Sequence, residues 1–375
     1  MNHWKETADV LARVAELAAA GERAALATVV RISGSAYRRP GAKLLIEERG
    51  GTLGSVSGGC LEADVREIAQ VVLATGTPCL RHYDTGADED VVWGLGLGCN
   101  GRVDVFVQPA TAGPFAERAG RLRELLAGDA SFTVATVVDG AETPGASGVE
   151  GLGATRIVEA DGAASGSLGA PELDSIAGER ARALMTGSRS SSSAVLAIAG
   201  RTVFFEALAP PPHLVVCGAG DDARPLVAYA ADAGFRVTVL DHRPALLAPE
   251  HFPPAARLVL ARPENEAVEL PAAARSLAVV KTHSLAHDRE WTRRLLAAGY
   301  PYVGLLGPRA RTAAILRDID APGTLAERVF GPVGLDLGAD GPRQVAVSIV
   351  AELLAFVARR EPRHLSARRE AIHAG

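Results

Sequence analysis

The chain has 375 residues, 48% of them hydrophobic and 22% charged, so it can bury a large core and should divide into two or three domains. A net charge of −5 argues against a broad nucleic-acid-binding surface, and four cysteines without paired spacing argue against a disulfide scaffold or a zinc ribbon. The N-terminus lacks the apolar core of a signal peptide and no apolar run reaches membrane-spanning length, so we expect a cytoplasmic protein without membrane contact.

The first part of the chain predicts a mixed α/β domain over residues 1–208. An amphipathic helix is expected at 4–19, and β-branched residues then indicate strands at 25–32 and 44–47. The remaining predicted elements are a helix at 115–126 and strands at 79–83, 103–108, 132–138, 195–198 and 202–208. We expect the last of these strands to return to the first sheet, and we find no repeat of fixed period.

A glycine-rich turn with a cysteine, residues 57–62, separates two of these strands. Apolar residues after Cys60 recur with a helical period, so we place Cys60 in the first turn of a helix, where the helix dipole favours the thiolate. Cys60 is then a candidate soft metal ligand or sulfur-handling group, and the amides of Gly58 and Gly59 could hold a phosphate. The alternative is a buried structural cysteine that acts as a small apolar residue.

A turn-forming loop between the first two strands carries three cations, Arg38, Arg39 and Lys43. Together with the neighbouring glycines these side chains could clamp a phosphate, and solvated loop charges are an equally good interpretation. A serine hydrolase is poorly supported, because Val56 stands where the nucleophile elbow needs serine, and no P-loop sequence is present.

Prolines at 210–212 interrupt regular hydrogen bonding and predict a domain boundary, after which residues 209–375 follow a strand–helix–strand rhythm. Strands are expected at 214–217, 236–240, 257–260, 277–280 and 302–306, with helices at 223–233 and 342–358. This order predicts a Rossmann-like, doubly wound parallel sheet. The last helix is apolar nearly all round, which favours burial at a domain or subunit contact.

The turn after the first strand of this second domain matches a dinucleotide-binding fingerprint. Gly218, Gly220 and Ala223 stand at the fingerprint positions, and Asp241 lies at the distance expected of the acid that binds ribose. Two carboxylates at 221–222 would oppose a pyrophosphate, and they could instead cap the helix or face a metal. A bound nucleotide at this domain is therefore one of two open interpretations.

Ligands of an open parallel sheet bind beyond the carboxyl ends of its strands. The residues expected at that edge are Asp241, His242, Lys281, Thr282, His283, Arg309 and Arg311. This mixture suits an anionic, hydrogen-bonding ligand. His283 and His287 could pair on a metal, but no third ligand is evident, so hydrogen-bonding roles are favoured.

Several segments together resemble the XdhC/CoxI family of accessory proteins of xanthine dehydrogenase and related molybdenum hydroxylases. The resemblance runs nearly end to end, and the segments that carry it are 34–43, 54–62, 93–101, 217–223, 240–244, 281–283, 304–309 and 332–338. It implies a chaperone that binds the molybdenum cofactor, as molybdopterin or its dinucleotide form. Such a chaperone protects the cofactor, supports its sulfuration with a cysteine desulfurase and delivers it to an apo-hydroxylase. The resemblance also implies a homodimer that does not itself oxidise purines.

The resemblance assigns residues to cofactor binding. They are Arg38, Lys43, Ser57, Gly58, Gly59, Cys60, Glu62, Cys99, Gly218, Gly220, Asp241, His283 and Arg309, with Cys60 and Cys99 as candidate metal ligands. Two positions depart from the family, since Asp221 replaces a usual histidine and Lys281 a usual methionine. Two other functions stay open. An NAD(P)-dependent oxidoreductase would use Asp241 for ribose and His283 as proton donor, and a scaffold would bridge hydroxylase and desulfurase without cofactor.

Overall fold

The computed structural model describes residues 2–34, 37–84, 101–140, 151–186, 193–320 and 323–367. The chain forms two compact units. Unit 1 comprises Met1–Pro210 and the segment that starts at Leu365, and unit 2 is Pro211–His364. The boundary predicted at 208/209 lies next to this division. The sequence analysis assigned residues 365–367 to the second domain, whereas in the structure they group with unit 1.

The described residues of unit 1 form two five-stranded antiparallel sheets and four α-helices. The helices are α1 (Asn2–Ala19), α2 (Glu62–Thr75), α3 (Gly113–Ala127) and α4 (Pro171–Thr186). The first sheet contains β1 (Ala24–Gly34), β2 (Lys43–Glu47), β3 (Thr52–Gly54), β4 (Cys79–Asp84) and β5 (Gly101–Pro109). The second contains β6 (Phe132–Gly140), β7 (Thr155–Glu159), β8 (Ala164–Gly166), β9 (Ser193–Ile198) and β10 (Arg201–Leu208).

The two sheets of unit 1 are built in the same way. Their strand orders are β3-β2-β1-β5-β4 and β8-β7-β6-β10-β9, and each sheet is preceded by one helix and interrupted by another at the same place. We call residues 2–109 the first half and 113–208 the second half. The expectation of no repeat missed this duplication, because the spacing between matching elements varies. The prediction that 202–208 returns to the first sheet is also wrong, since β10 pairs with β6 and β9.

Helix packing follows the apolar periodicity of each helix. The stripe of α1, which includes Leu11 and Leu17, shares one buried cluster with Leu122 and Leu126 of α3. In the first half, α2 buries Val65, Ala69 and Val72 against its sheet. In the second half, α4 buries Leu173 and Ala177 against the other sheet. Each half therefore contributes one helix to a shared core and keeps one on its own sheet.

Unit 2 is a six-stranded parallel sheet with helices between the strands, which confirms the Rossmann-like prediction. Its strands are β11 (His213–Cys217), β12 (Arg236–Asp241), β13 (Arg257–Leu260), β14 (Ser276–Val280), β15 (Val303–Leu305) and β16 (Val329–Phe330). Its helices are α5 (Ala223–Asp232), α6 (Leu285–Ala297), α7 (Arg309–Asp318), α8 (Gly323–Ala326) and α9 (Pro342–Ala358). Among the described residues, no helix combines the length and the apolar character needed to cross a bilayer.

The order β13-β12-β11-β14-β15-β16 reverses between β11 and β14. In such sheets the ligand crevice lies outside the carboxyl ends of the strands at that reversal. The loops that begin at Gly218 and Lys281 therefore face this crevice. Helix α9 packs on α5, as its apolar sequence suggests, but its Val347 and Leu354 side chains are exposed.

Candidate functional site

The glycine-rich turn of the first half holds Cys60 at the surface. Helix α2 begins at Glu62 with Leu61 as its N-cap, so Cys60 precedes the helix and does not lie in its first turn as predicted. Gly58 and Gly59 have φ of +83° and +122°, values that favour glycine, and they keep the chain out of helical conformation until Leu61. Cys60 is an exposed free thiol, which removes the alternative of a buried structural cysteine.

The carboxylate of Glu62 organises this turn. It accepts hydrogen bonds from the hydroxyls of Ser55 and Ser57 and from the amides of Val56, Ser57, Gly58 and Gly59. The Gly59 amide is 2.9 Å and the Ser55 hydroxyl 2.8 Å from a Glu62 oxygen. Partial burial raises the pKa of Glu62, but the bonds from Ser57 and Ser55 outweigh it and lower the pKa to about 2. The amides predicted to hold a phosphate therefore already bind an internal anion.

Two of the three cations predicted to clamp a phosphate, Arg38 and Lys43, form ion pairs within unit 1. The Arg38 guanidinium lies 2.5 Å from the carboxylate of Glu6. Lys43 Nζ lies 2.5 Å from Glu206 Oε1 and donates to the carbonyl of Gly41 at 2.9 Å. The Lys43 side chain is only 5% exposed, so it faces the interior and not solvent. Arg38 and Lys43 remain predicted cofactor ligands, but each already has a carboxylate partner.

The Lys43–Glu206 pair borders a small cavity between the two sheets, which the sequence did not indicate. Its polar lining includes Thr28, Gln108 and Thr136 besides the ion pair, and its walls are apolar side chains of both sheets. Glu206 lies on β10, far from Lys43 in sequence, so only the fold brings the two together. The one available signal was an acidic residue within the otherwise apolar segment 203–208 of β10.

The remaining cysteines contribute less. Cys99 lies outside the described residues, so its predicted pairing with Cys60 on a metal stays a prediction. Cys79 is half-buried on β4, and Cys217 is buried at the end of β11, where desolvation raises the pKa of its thiol. Within the described ranges, no group of three histidine, cysteine, aspartate or glutamate side chains could hold a metal ion.

In unit 2, Asp241 at the end of β12 is held by internal donors. One oxygen accepts from the amide of Ala219 and from Arg243 Nη2, at 2.7 and 2.8 Å. The other oxygen accepts from the amide and from Nε of Arg243, both at 2.9 Å. Burial raises the pKa of Asp241, but the bonds from Arg243 and Ala219 prevail and lower the pKa to about 2. The acid predicted to bind ribose is thus a paired carboxylate.

At the strand-order reversal, Asp222 joins the two loops of the crevice. Its carboxylate lies 2.8 Å from Lys281 Nζ and 3.1 Å from His283 Nε2. The Lys281 side chain is only 2% exposed, and desolvation lowers its pKa while Asp222 opposes that shift. His283 adopts φ of +61°, a left-handed conformation uncommon outside glycine. Asp222 makes no side-chain cap of α5, so the predicted cap interpretation is wrong.

Other predicted residues of this edge are spread around the crevice. The ring of His287 packs edge-on against that of His242 at 4.6 Å, whereas His283 contacts Asp222. Arg311 lies 2.7 Å from the buried carboxylate of Asp288. Arg309 is exposed at the first residue of α7. Asp222, Lys281 and His283 are therefore the group that converges at the reversal.

Comparison with known proteins gives a consistent result for both units. Residues 17–84 match the family described as "XdhC and CoxI family", and residues 214–353 match "XdhC Rossmann domain". The chain is 32% identical to a probable xanthine dehydrogenase subunit of Bacillus subtilis (strain 168), over 89% of this chain and 93% of that one. It is 31% identical to the uncharacterized protein YqeB of Escherichia coli (strain K12), over 60% of this chain and 43% of that protein.

A solved structure resembles nearly the whole chain. The crystal structure of a xanthine dehydrogenase from Bacillus halodurans superposes with a TM-score of 0.75 at 26% identity, covering 96% of this chain and 98% of that one. The family matches therefore lie in both units, and the structural similarity covers nearly the whole chain.

Proposed function

Because the chain belongs to the XdhC and CoxI family, we propose that it is an accessory protein of a molybdenum hydroxylase of the xanthine dehydrogenase type. It binds the molybdenum cofactor, supports its sulfuration together with a cysteine desulfurase, and delivers it to the apo-hydroxylase. The relatives named for xanthine dehydrogenase, which align with this chain over nearly their whole lengths, support this assignment. The cofactor is molybdopterin or its dinucleotide form.

One observation carries the proposal, namely the exposed Cys60 thiol on a turn that Glu62 holds in shape. Soft thiolate ligands suit soft metal and sulfur chemistry, and the bound cofactor would supply a metal with a dithiolene. A Cβ placed on the adjacent Gly59 would meet no atom within 4 Å, so there is open space beside the thiol. Cys60 fits the soft part of the cofactor in chemistry and in access.

The phosphate part of the cofactor does not fit the residues that the sequence assigns to it. The amides of Gly58 and Gly59 donate to Glu62, and the side chains of Arg38 and Lys43 pair with glutamates. A phosphate would have to displace these carboxylates from their hydrogen bonds. The proposal therefore assigns Cys60 to the cofactor and treats Glu62, Arg38 and Lys43 as supports of the surrounding structure.

Replacement of the thiol tests the proposal. We expect Cys60→Ala to reduce activation of an apo-hydroxylase about tenfold or more while leaving the fold intact, because the side chain is exposed. The measurement is the activity of a purified apo-hydroxylase after incubation with the protein, cofactor and a cysteine desulfurase. Cys79→Ala is the matched control, and it should activate like wild type.

Equal activation by Cys60→Ala and wild type would remove Cys60 from the mechanism. Pterin content of the purified protein separates the remaining alternatives. Pterin that copurifies supports the accessory function, a nicotinamide nucleotide supports the oxidoreductase, and neither at any concentration supports the scaffold.

A further inference from the structure

The crevice of unit 2 has the chain trace of a dinucleotide site but different chemistry. Gly218 has φ of +120°, and a Cβ there would lie 2.5 Å from the carbonyl oxygen of Lys281. The glycine is therefore required for the close approach of the two loops, as in a Rossmann turn. A dinucleotide needs two further features here, which are an open place for the pyrophosphate and a carboxylate free to accept the ribose hydroxyls.

The Asp241 carboxylate is already hydrogen-bonded within the protein. Each of its oxygens accepts two hydrogen bonds, and three of the four come from the amide and side chain of Arg243. The Arg243 guanidinium lies on the carboxylate in a two-point contact, which is the strong form of this pair. Ribose hydroxyls would have to displace Arg243 to reach Asp241.

The place of the pyrophosphate is also taken. A Cβ built on Gly220 would lie 2.9 Å from Asp222 Oδ1. The Asp222 carboxylate therefore fills the space beside Gly220 that the absence of a side chain leaves. Lys281 and His283 hold it there. A pyrophosphate carries two negative charges, so it would be repelled by the carboxylate and would have to compete with it for Lys281 and His283.

We propose that unit 2 is closed to nicotinamide and flavin dinucleotides by two of its own ion pairs, Arg243–Asp241 and Lys281–Asp222. Arg243 and Asp222 are then the residues that determine this specificity. Unit 2 keeps the fold and the glycines of a dinucleotide site. Asp241, which would bind the ribose, pairs with Arg243, and Asp222, which pairs with Lys281, lies where the pyrophosphate would bind. The inference is independent of the function proposed for Cys60 in unit 1.

Binding measurements on the full chain test the inference. Titration with NADH, followed by nicotinamide fluorescence and by calorimetry, should show no saturable binding up to about 1 mM. A triple variant, Arg243→Ala with Asp222→Ser and Lys281→Met, should bind NADH at least tenfold more tightly than this limit. Lys281 is replaced together with Asp222 so that the buried Lys281 ammonium is not left without its carboxylate. FAD should behave as NADH does.

Arg257→Ala is the matched control, because Arg257 is an exposed arginine on β13 of the same unit. It should leave the absence of binding unchanged. Circular dichroism and thermal unfolding establish that each variant is folded. Saturable binding of NADH or FAD to the wild type overturns the inference. A folded triple variant that still binds neither dinucleotide overturns it as well, because the two ion pairs would then not be what closes the crevice.

Discussion

The two halves of unit 1 share one architecture and differ at one turn. In the first half, Arg13 contacts Glu16 and Glu47, at 2.9 and 2.8 Å. In the second half, the corresponding Arg121 contacts Glu124 and Glu159, at 2.9 and 2.6 Å. The same triad of one arginine and two glutamates therefore joins the first helix to the second strand in each half. The frame is duplicated in side-chain contacts as well as in strand order.

The turn before the second helix is where the halves diverge. In the first half, Glu62 accepts from four amides and two hydroxyls and supports the glycines around Cys60. At the corresponding place, Asp174 accepts one amide hydrogen bond, from Leu168 at 2.7 Å, and lies 3.5 Å from Arg156. The second half keeps the helix start and has no cysteine there. The proposed functional residue Cys60 thus lies on a turn that differs between the halves and not on the frame that they share.

A second contrast lies at the start of the second strand of each half. The Nζ of Lys43 donates to the carbonyl of Gly41 at 2.9 Å, and the hydroxyl of Thr155 donates to the carbonyl of Gly153 at 2.9 Å. Lys43 also reaches Glu206, whereas a neutral glutamine, Gln108, lies near Gly153. The Lys43–Glu206 ion pair joins the first half to the second, and the corresponding positions, Thr155 and Gln108, carry no charge.

The largest expected difference between the halves comes from this charged pair. Lys43→Met should lower the free energy of unfolding by about 3–5 kcal/mol, because it leaves a buried Glu206 carboxylate without its cation. Thr155→Val should cost about 1 kcal/mol, since it removes one neutral hydrogen bond. Urea unfolding of the full chain measures both. Lys43→Met combined with Glu206→Leu should recover much of the loss, and a loss below about 1 kcal/mol in the single variant would show that the pair is not structural.

The turn itself should give an intermediate effect. Glu62→Gln is expected to cost about 2 kcal/mol and Asp174→Asn about half of that, because Glu62 accepts more hydrogen bonds. The folded-state pKa of Glu62 is lowered to about 2. Its contribution is therefore complete above the unfolded-state pKa of about 4.5 and is lost as the pH falls from about 5 towards 2. Unfolding at a series of pH values should show wild type losing more stability than Glu62→Gln over that interval, and parallel curves would contradict this assignment.

The smallest effects should come from the triads. Arg13→Ala and Arg121→Ala each remove the ion pairs of an exposed arginine side chain, so each should lower the melting temperature slightly and by similar amounts. Differential scanning calorimetry compares the two. A much larger loss for one of them would mean that the duplicated contacts do not carry equal weight in the two halves.

Local periodicity was enough to predict most elements of the fold. The helix predicted at 342–358 and the strand at 257–260 have those bounds in the structure, since apolar spacing and flanking glycines and prolines are local signals. The parallel sheet followed from the alternation of strands and helices. The duplication in unit 1 was missed because the spacing between matching elements of the two halves varies.

The site was harder to predict than the fold. The exposure of Cys60 followed from its glycine-rich turn. The role of Glu62 could not be predicted, because the sequence does not show that its carboxylate accepts hydrogen bonds from four preceding backbone amides. The pairing of Lys43 with Glu206 and of Lys281 with Asp222 depends on contacts across strands or loops that spacing does not encode. Cations and glycines in sequence suggested phosphate sites, and internal carboxylates occupy those sites instead.

The Glu62 carboxylate, whose hydrogen bonds hold the turn that carries Cys60, has a consequence for molecular recognition. A loop held by six internal bonds has already lost its conformational freedom during folding, so a visiting protein need not immobilise it again on contact. A protein that contacts the Cys60 thiol would then dock on a preformed surface, and the association rate would be governed by collision and orientation.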